Sequence, residues 1–236
     1  MNFKPAKPPQ DAVTVRHLRI GIGSVGIALP IVLVVGHMVA TRRVVVLSSL
    51  SAYYHTEMRN VFVGALCAIG VFLIAYRYRW PDNLVGTIAG ALAIIVALFP
   101  IRVEAPTGGT SAVSRATGLV HQGAAAALFL LLAVFCLFLF TRPDRDGTPP
   151  GRVANRLYRT CGLLILAAIV VALATSALAT DVHQTLQPML WCETVAVSAF
   201  GTAWVAKSDA ILRVAKLPDV PPSDEGVGQI VATGSS

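Results

Sequence analysis

Six long apolar runs set the terms for this chain, at about residues 19–40, 60–76, 84–100, 118–140, 161–180 and 188–206. A helix needs about 20 apolar residues to cross a bilayer core. Inside hydrocarbon no water can satisfy a backbone N–H or C=O, so each run must pair these groups within itself, as a helix does. The expected fold is all-α, a polytopic membrane bundle of six transmembrane helices. Composition agrees: the chain is 55% hydrophobic and only 13% charged, against about 25% charged in soluble domains. Small residues at helical spacing, Gly86 with Gly90 and Gly64 with Ala68, would let helix backbones approach closely. Pro30 is expected to kink the first helix, Pro100 to close the third and Pro188 to open the sixth. The first run exceeds the roughly 7–15 apolar residues of a cleaved signal and reads as a retained helix. Three regions follow: an N-terminal tail (1–17), the helical domain (18–207) and a partly disordered tail (208–236), whose Lys207–Leu217 stretch could continue as an interfacial helix.

The charges give a direction. With six spans, both tails lie on one side. That side then holds fourteen of the nineteen Lys and Arg, including Arg16, Arg19, Arg79, Arg142 and Lys207. Cations accumulate in the cytoplasm because they translocate poorly, so the expected topology is N-in, C-in, in the cell membrane. This also explains the net charge of +7 without nucleic acid, for which a basic patch interleaved with aromatics is missing. Membrane lipid is the expected partner, with a protein partner or a second copy also compatible. The four cysteines each sit inside an apolar run with no CxxC pair, and read as small buried side chains.

That orientation puts most chemistry-bearing residues outside. The connector "SSLSAYYHTEMRN" (48–60) carries Ser51, His55, Glu57 and Arg59. His37 is near the outer end of the first helix and His121 just inside the fourth. Arg102, Glu104, Asp181 and His183 fall in the other outer loops. Glu193 lies about 8 Å into the sixth helix at 1.5 Å per residue. A carboxylate in an apolar helix is costly to bury, so it is a functional candidate by default. It also reads as an interhelical tie, with Arg59 or Arg102 as partner. Tyr53, Tyr54 and Trp191 fit the aromatic belt of a membrane interface. His55, His121 and His183 are plausible zinc donors, although none shows a short HxxxH spacing. Arg59, Arg102, Glu104 and Asp181 would complete a polar outer pocket, with Glu193 and Ser51 as catalytic candidates.

The stretch "SAYYHTEMRNVFVGALCAIGVFLIAYR", the "LFP" after the third run, the histidine opening the fourth and "ETVAVSAFGTAWVAK" together resemble a group of bacterial six-helix membrane proteins of unknown function. Their layout is similar to that of the FRAG/DRAM/Sfk-like membrane proteins. That group has an acidic residue where Asn60 stands here. A more distant resemblance is to the CREST superfamily of membrane hydrolases, whose Ser-x-x-x-His motif Ser51 and His55 match, although the paired HxxxH of its last helix is absent. This second resemblance implies zinc as a cofactor.

Three functions follow. The first is an accessory, sensor, or lipid- or partner-binding membrane protein with an extracytoplasmic polar cluster. The second is a zinc-dependent hydrolase of a lipid or amide. The third is a small transporter. In the first, residues 48–60 are a structural lid over the bundle rather than a catalytic loop.

Overall fold

A computed structural model of the chain describes residues 10–101, 112–144, 147, 149–175 and 186–208. Six long helices make up these residues: α1 (Gln10–Thr41), α2 (Arg59–Ala75), α3 (Trp80–Leu98), α4 (Ala112–Val134), α5 (Arg152–Thr175) and α6 (Pro188–Lys207). A π-helical turn, Phe135–Leu139, continues α4, and a short 3-10 helix, Ser51–His55, stands between α1 and α2. Five of the six are long and apolar enough to cross a membrane; α2, at 17 residues, is shorter. The apolar bundle is compatible with an integral membrane protein. Ile31, Val39, Leu163, Val170 and Leu173 stand exposed along the helices, and helices that are apolar on every face suit a surrounding of lipid.

Each helix packs on its neighbours in chain order, and α6 returns to pack on α1, which closes a ring. The Arg19 guanidinium, early in α1, donates to the carbonyl of Lys207 at the end of α6, 3.0 Å away. The helical domain therefore begins and ends at the same face.

Glycine sets the closest approaches. A Cβ on Gly70 of α2 would stand 2.7 Å from the Gly90 carbonyl of α3. A Cβ on Gly201 of α6 would stand 2.7 Å from the Gly23 carbonyl of α1. Real Cβ atoms do not come so near, so these positions must stay bare for the backbones to touch. The expected contact at Gly86 and Gly90 is made, but that at Gly64 is not: nothing lies within 4 Å of a Cβ there. Small-residue spacing alone does not tell which face of a helix meets a neighbour.

Several helices start before their apolar runs. α1 begins at Gln10, within the expected tail, and α3 at Trp80, where Pro81 occupies the first turn. α5 begins at Arg152, with Arg156 and Arg159 exposed on its first turns. Hydropathy marks the membrane core, whereas helices continue into the polar boundary. Pro30 lies within α1, and Pro188 is in the first turn of α6. Residues 176–180 and the proposed interfacial helix beyond Ser208 lie outside the described residues.

Candidate functional site at the connector end

The end of the bundle opposite Arg19 and Lys207 is closed by the connector between α1 and α2. α1 stops at Arg42, whose φ of 54° turns the chain through the left-handed region, a common helix exit that costs a non-glycine residue strain. Residues 48–56 then fold inward. The amides of Ala52 and Tyr53 bond back to the carbonyls of Ser49 and Leu50, forming the 3-10 turn. The Thr56 hydroxyl donates to the Tyr53 carbonyl and accepts from the Met58 amide, which launches α2. Leu50, Ser51 and Tyr53 are buried. This stretch is a plug seated in the ring of helices.

The tyrosines therefore depart from the expected aromatic belt. Tyr53 is fully buried and Tyr54 nearly so, whereas Trp191 is exposed as expected. The Tyr53 hydroxyl accepts from the Leu47 amide, and its ring meets His37 edge-on at 5.5 Å. His37 pairs with Glu57 at 3.3 Å. The Glu57 carboxyl is held low, first by its own backbone amide and then, against slight desolvation, by His37.

Two helices hold the plug from the other side. The Leu190 amide of α6 donates to the Ser48 carbonyl at 3.1 Å. One turn further in, the Glu193 carboxylate accepts from the Leu50 amide. On the opposite side, His121 of α4 is buried, with Nε2 3.0 Å from the Ser51 hydroxyl and Nδ1 2.7 Å from the Phe99 carbonyl. Leu50 and Ser51, adjacent in the plug, thus tie it to α6 and α4 respectively. The expected tie between Glu193 and Arg59 is not made. Arg59 instead bonds the Tyr54 hydroxyl at 2.8 Å and stacks on its ring at 4.5 Å.

Beneath the plug lies an apolar cavity of about 60 Å³. Leu29, Leu66, Val96, Leu128 and Phe200, from five helices, line it, and Ser51 and Glu193 supply its polar wall. An engineered cavity of about 150 Å³ admits benzene; this one is less than half that size, with room for no more than the terminal methyl end of an apolar chain.

The described residues do not fit a zinc ion. No three His, Cys, Asp or Glu among them gather at ligand spacing. His55 turns its Nε2 to the Ile101 carbonyl, 3.0 Å away, and both His121 nitrogens face other partners. His183, the third expected donor, lies outside the described residues, as do Arg102, Glu104 and Asp181.

The opposite end carries a network that hydropathy did not reveal. Lys207 Nζ and the Tyr78 hydroxyl both donate to one Asp144 oxygen, at 2.8 and 2.7 Å. Arg79 reaches the Asp144 carbonyl at 2.6 Å. Arg19 donates to the Tyr76 hydroxyl at 2.8 Å and lies over the Tyr78 ring. Beside them Trp204 is fully buried against Tyr76, Phe135, Phe140 and Phe200. The π turn serves this packing. Its bond from the Phe140 amide to the Phe135 carbonyl brings residues five apart onto one face, where an α-helix would separate them. Arg19 and Lys207 at the edges of apolar runs were the available signal, but read as orientation they concealed their pairing.

The chain matches no family model, no curated protein and no solved structure.

Proposed function

We propose that this chain is a multi-pass cell-membrane protein with six spans and both termini in the cytoplasm. It acts by binding, as an accessory or sensor protein that takes the end of a lipid chain at its extracytoplasmic side. The observation that carries this reading is the apolar cavity with Ser51 and Glu193 on its wall, directly under a plug held by α4 and α6. An apolar chain end would fill the cavity, and the plug would respond to its presence. α2 is the sixth span: its 17 residues reach about 26 Å at 1.5 Å each, and it packs between α1 and α3. The excess of cations at the face shared by Arg19 and Lys207 makes that face cytoplasmic.

Two experiments test the two parts. Native mass spectrometry of protein released from membranes should show about one retained lipid, lost when Val96→Phe fills the cavity. Equal lipid on both proteins contradicts the binding reading. Cysteines placed at exposed Val44 and Arg152 should label in intact cells at position 44 only. The reverse pattern contradicts the topology. A small transporter is the second reading, favoured by a carboxylate on the wall of the cavity.

A further inference from the structure

We propose that the exposed face of α5 binds an anionic phospholipid, with Arg156 and Arg159 on its phosphate and an acyl chain along Leu163, Ala167 and Val170. The inference rests on the membrane reading of the bundle and holds whatever occupies the cavity at the other end.

Helical spacing sorts α5 into two faces. Ala154, Tyr158, Cys161, Ile165 and Ala168 are buried. The Tyr158 ring meets Phe140 at 5.5 Å and the Lys207 ammonium at 5.8 Å, and Gly162 abuts Leu137. Arg152, Arg156, Arg159, Leu163, Ala167 and Val170 are all exposed. At 3.6 residues per turn these six fall within an arc of about 80°, opposite the buried face. They form one column in which guanidinium gives way to hydrocarbon. Arg156 and Arg159 stand about 4.5 Å apart along the axis, so both reach a single phosphate. Val170 lies about 16 Å beyond Arg159, close to the depth of one leaflet in a core about 30 Å thick.

Charge chemistry selects the lipid. α5 contains no Asp or Glu, and among the described residues no hydrogen bond or ion pair engages any of the three arginines. Like charges three and four residues apart on a helix repel. Cations in the first turns also face the positive end of the helix dipole. No described residue offsets these costs, whereas a phosphate does. A guanidinium presents a planar fork that grips phosphate oxygens in pairs, which an ammonium does not. A headgroup with net negative charge suits the stripe better than a zwitterionic one, whose own cation would meet Arg152.

The test uses the full-length protein in vesicles of phosphatidylcholine with a minor share of phosphatidylglycerol. Both leaflets have the same composition, so orientation does not affect the result. Native mass spectrometry of the released protein identifies the lipid it retains. Phosphatidylglycerol should be enriched over the vesicle composition by about tenfold, the effect of a hydrogen bond to a charged group. Arg156→Lys combined with Arg159→Lys keeps every charge, and hence the topology, yet should remove most of that enrichment. Arg43→Lys at the connector end should leave it unchanged. So should Val96→Phe, which fills the cavity, so this site and the cavity fail separately. Equal enrichment with the lysine pair would show attraction by charge alone and overturn the site, as would retained lipid of the vesicle's own composition. A dimer that persists after delipidation and is lost with Leu163→Asn would put a second copy on this face and overturn it too.

Discussion

The two ends of the bundle are closed by different means. At the connector end, the outer one in the proposed topology, a folded-in segment is held by single hydrogen bonds: Leu50 to Glu193, Ser51 to His121, and Leu190 to Ser48. A cavity lies beneath it. At the opposite end, the inner one in the proposed topology, opposite charges meet directly in the Lys207–Asp144 pair, Arg19 bridges α1 to α6, and Trp204 packs among four aromatic rings. Elements that open locally are drawn from the less tightly packed parts of a protein. The comparison makes the inner end the anchor and the outer end the part free to respond.

The largest effect should come from the anchor. Trp204→Ala should destabilise the detergent-solubilised protein by about 3–5 kcal/mol, as large-to-small changes of buried aromatics do. Trp204→Phe should cost less than half as much, because the indole N–H has no hydrogen-bond partner among the described residues. Equilibrium unfolding in denaturing detergent measures both. A cost at Trp204→Ala below that at Ser51→Ala would break the comparison.

Next is Lys207→Ala, which removes a buried ammonium and leaves the Asp144 carboxylate with the Tyr78 hydroxyl but without its cation. A hydrogen bond to a charged group is worth about 1.5–3 kcal/mol, and the loss should change little with salt because Lys207 is buried. Ser51→Ala at the outer end should cost about 1 kcal/mol, the value of an ordinary hydrogen bond. It should also raise amide exchange in the plug while leaving that of Tyr76–Tyr78 unchanged.

Acid should reach the inner end late. Burial pushes the Asp144 carboxyl up, but hydrogen bonds from Lys207 and Tyr78 outweigh it and leave the group below its ordinary value of 3.8. A carboxyl depressed on folding stabilises the fold fully above its unfolded value. That contribution is lost as the pH falls through the folded value. Trp204 fluorescence, read with Trp80 and Trp191 replaced by Phe, should therefore hold steady down to about pH 4. It should change below that, and Asp144→Asn should abolish the acid-dependent step.

The smallest effect belongs to Gly64→Ala. Nothing stands near the new methyl group, so helix propensity alone should stabilise by about 0.5–1 kcal/mol. The same change at Gly90 should destabilise.

Much of the fold was legible because the bilayer imposes one solution on an apolar run. The six helices, Pro188 at the start of α6 and the contact at Gly86 and Gly90 all follow from that rule. Glu193, Ser51 and His121 stood out one by one, since each is polar beside or within an apolar run. Their meeting did not, because Ser51 and His121 are 70 residues apart and no spacing rule joins them. The burial of Tyr53 was hidden for a related reason: a polar connector looks wet unless its backbone bonds can be counted. The inner network was hidden because Arg19 and Lys207 serve as orientation signals and structural ties at once.

Hydrogen–deuterium exchange across residues 47–58, in protein reconstituted in lipid, tests the plug most directly. The amides of Leu47, Leu50, Ala52 and Tyr53 all have acceptors within the protein. Exchange slowed at least a hundredfold relative to a free peptide, about 2.7 kcal/mol of protection, is the expected result. Exchange at the free-peptide rate would contradict it, leaving an open loop in place of a plug and no lid above the cavity.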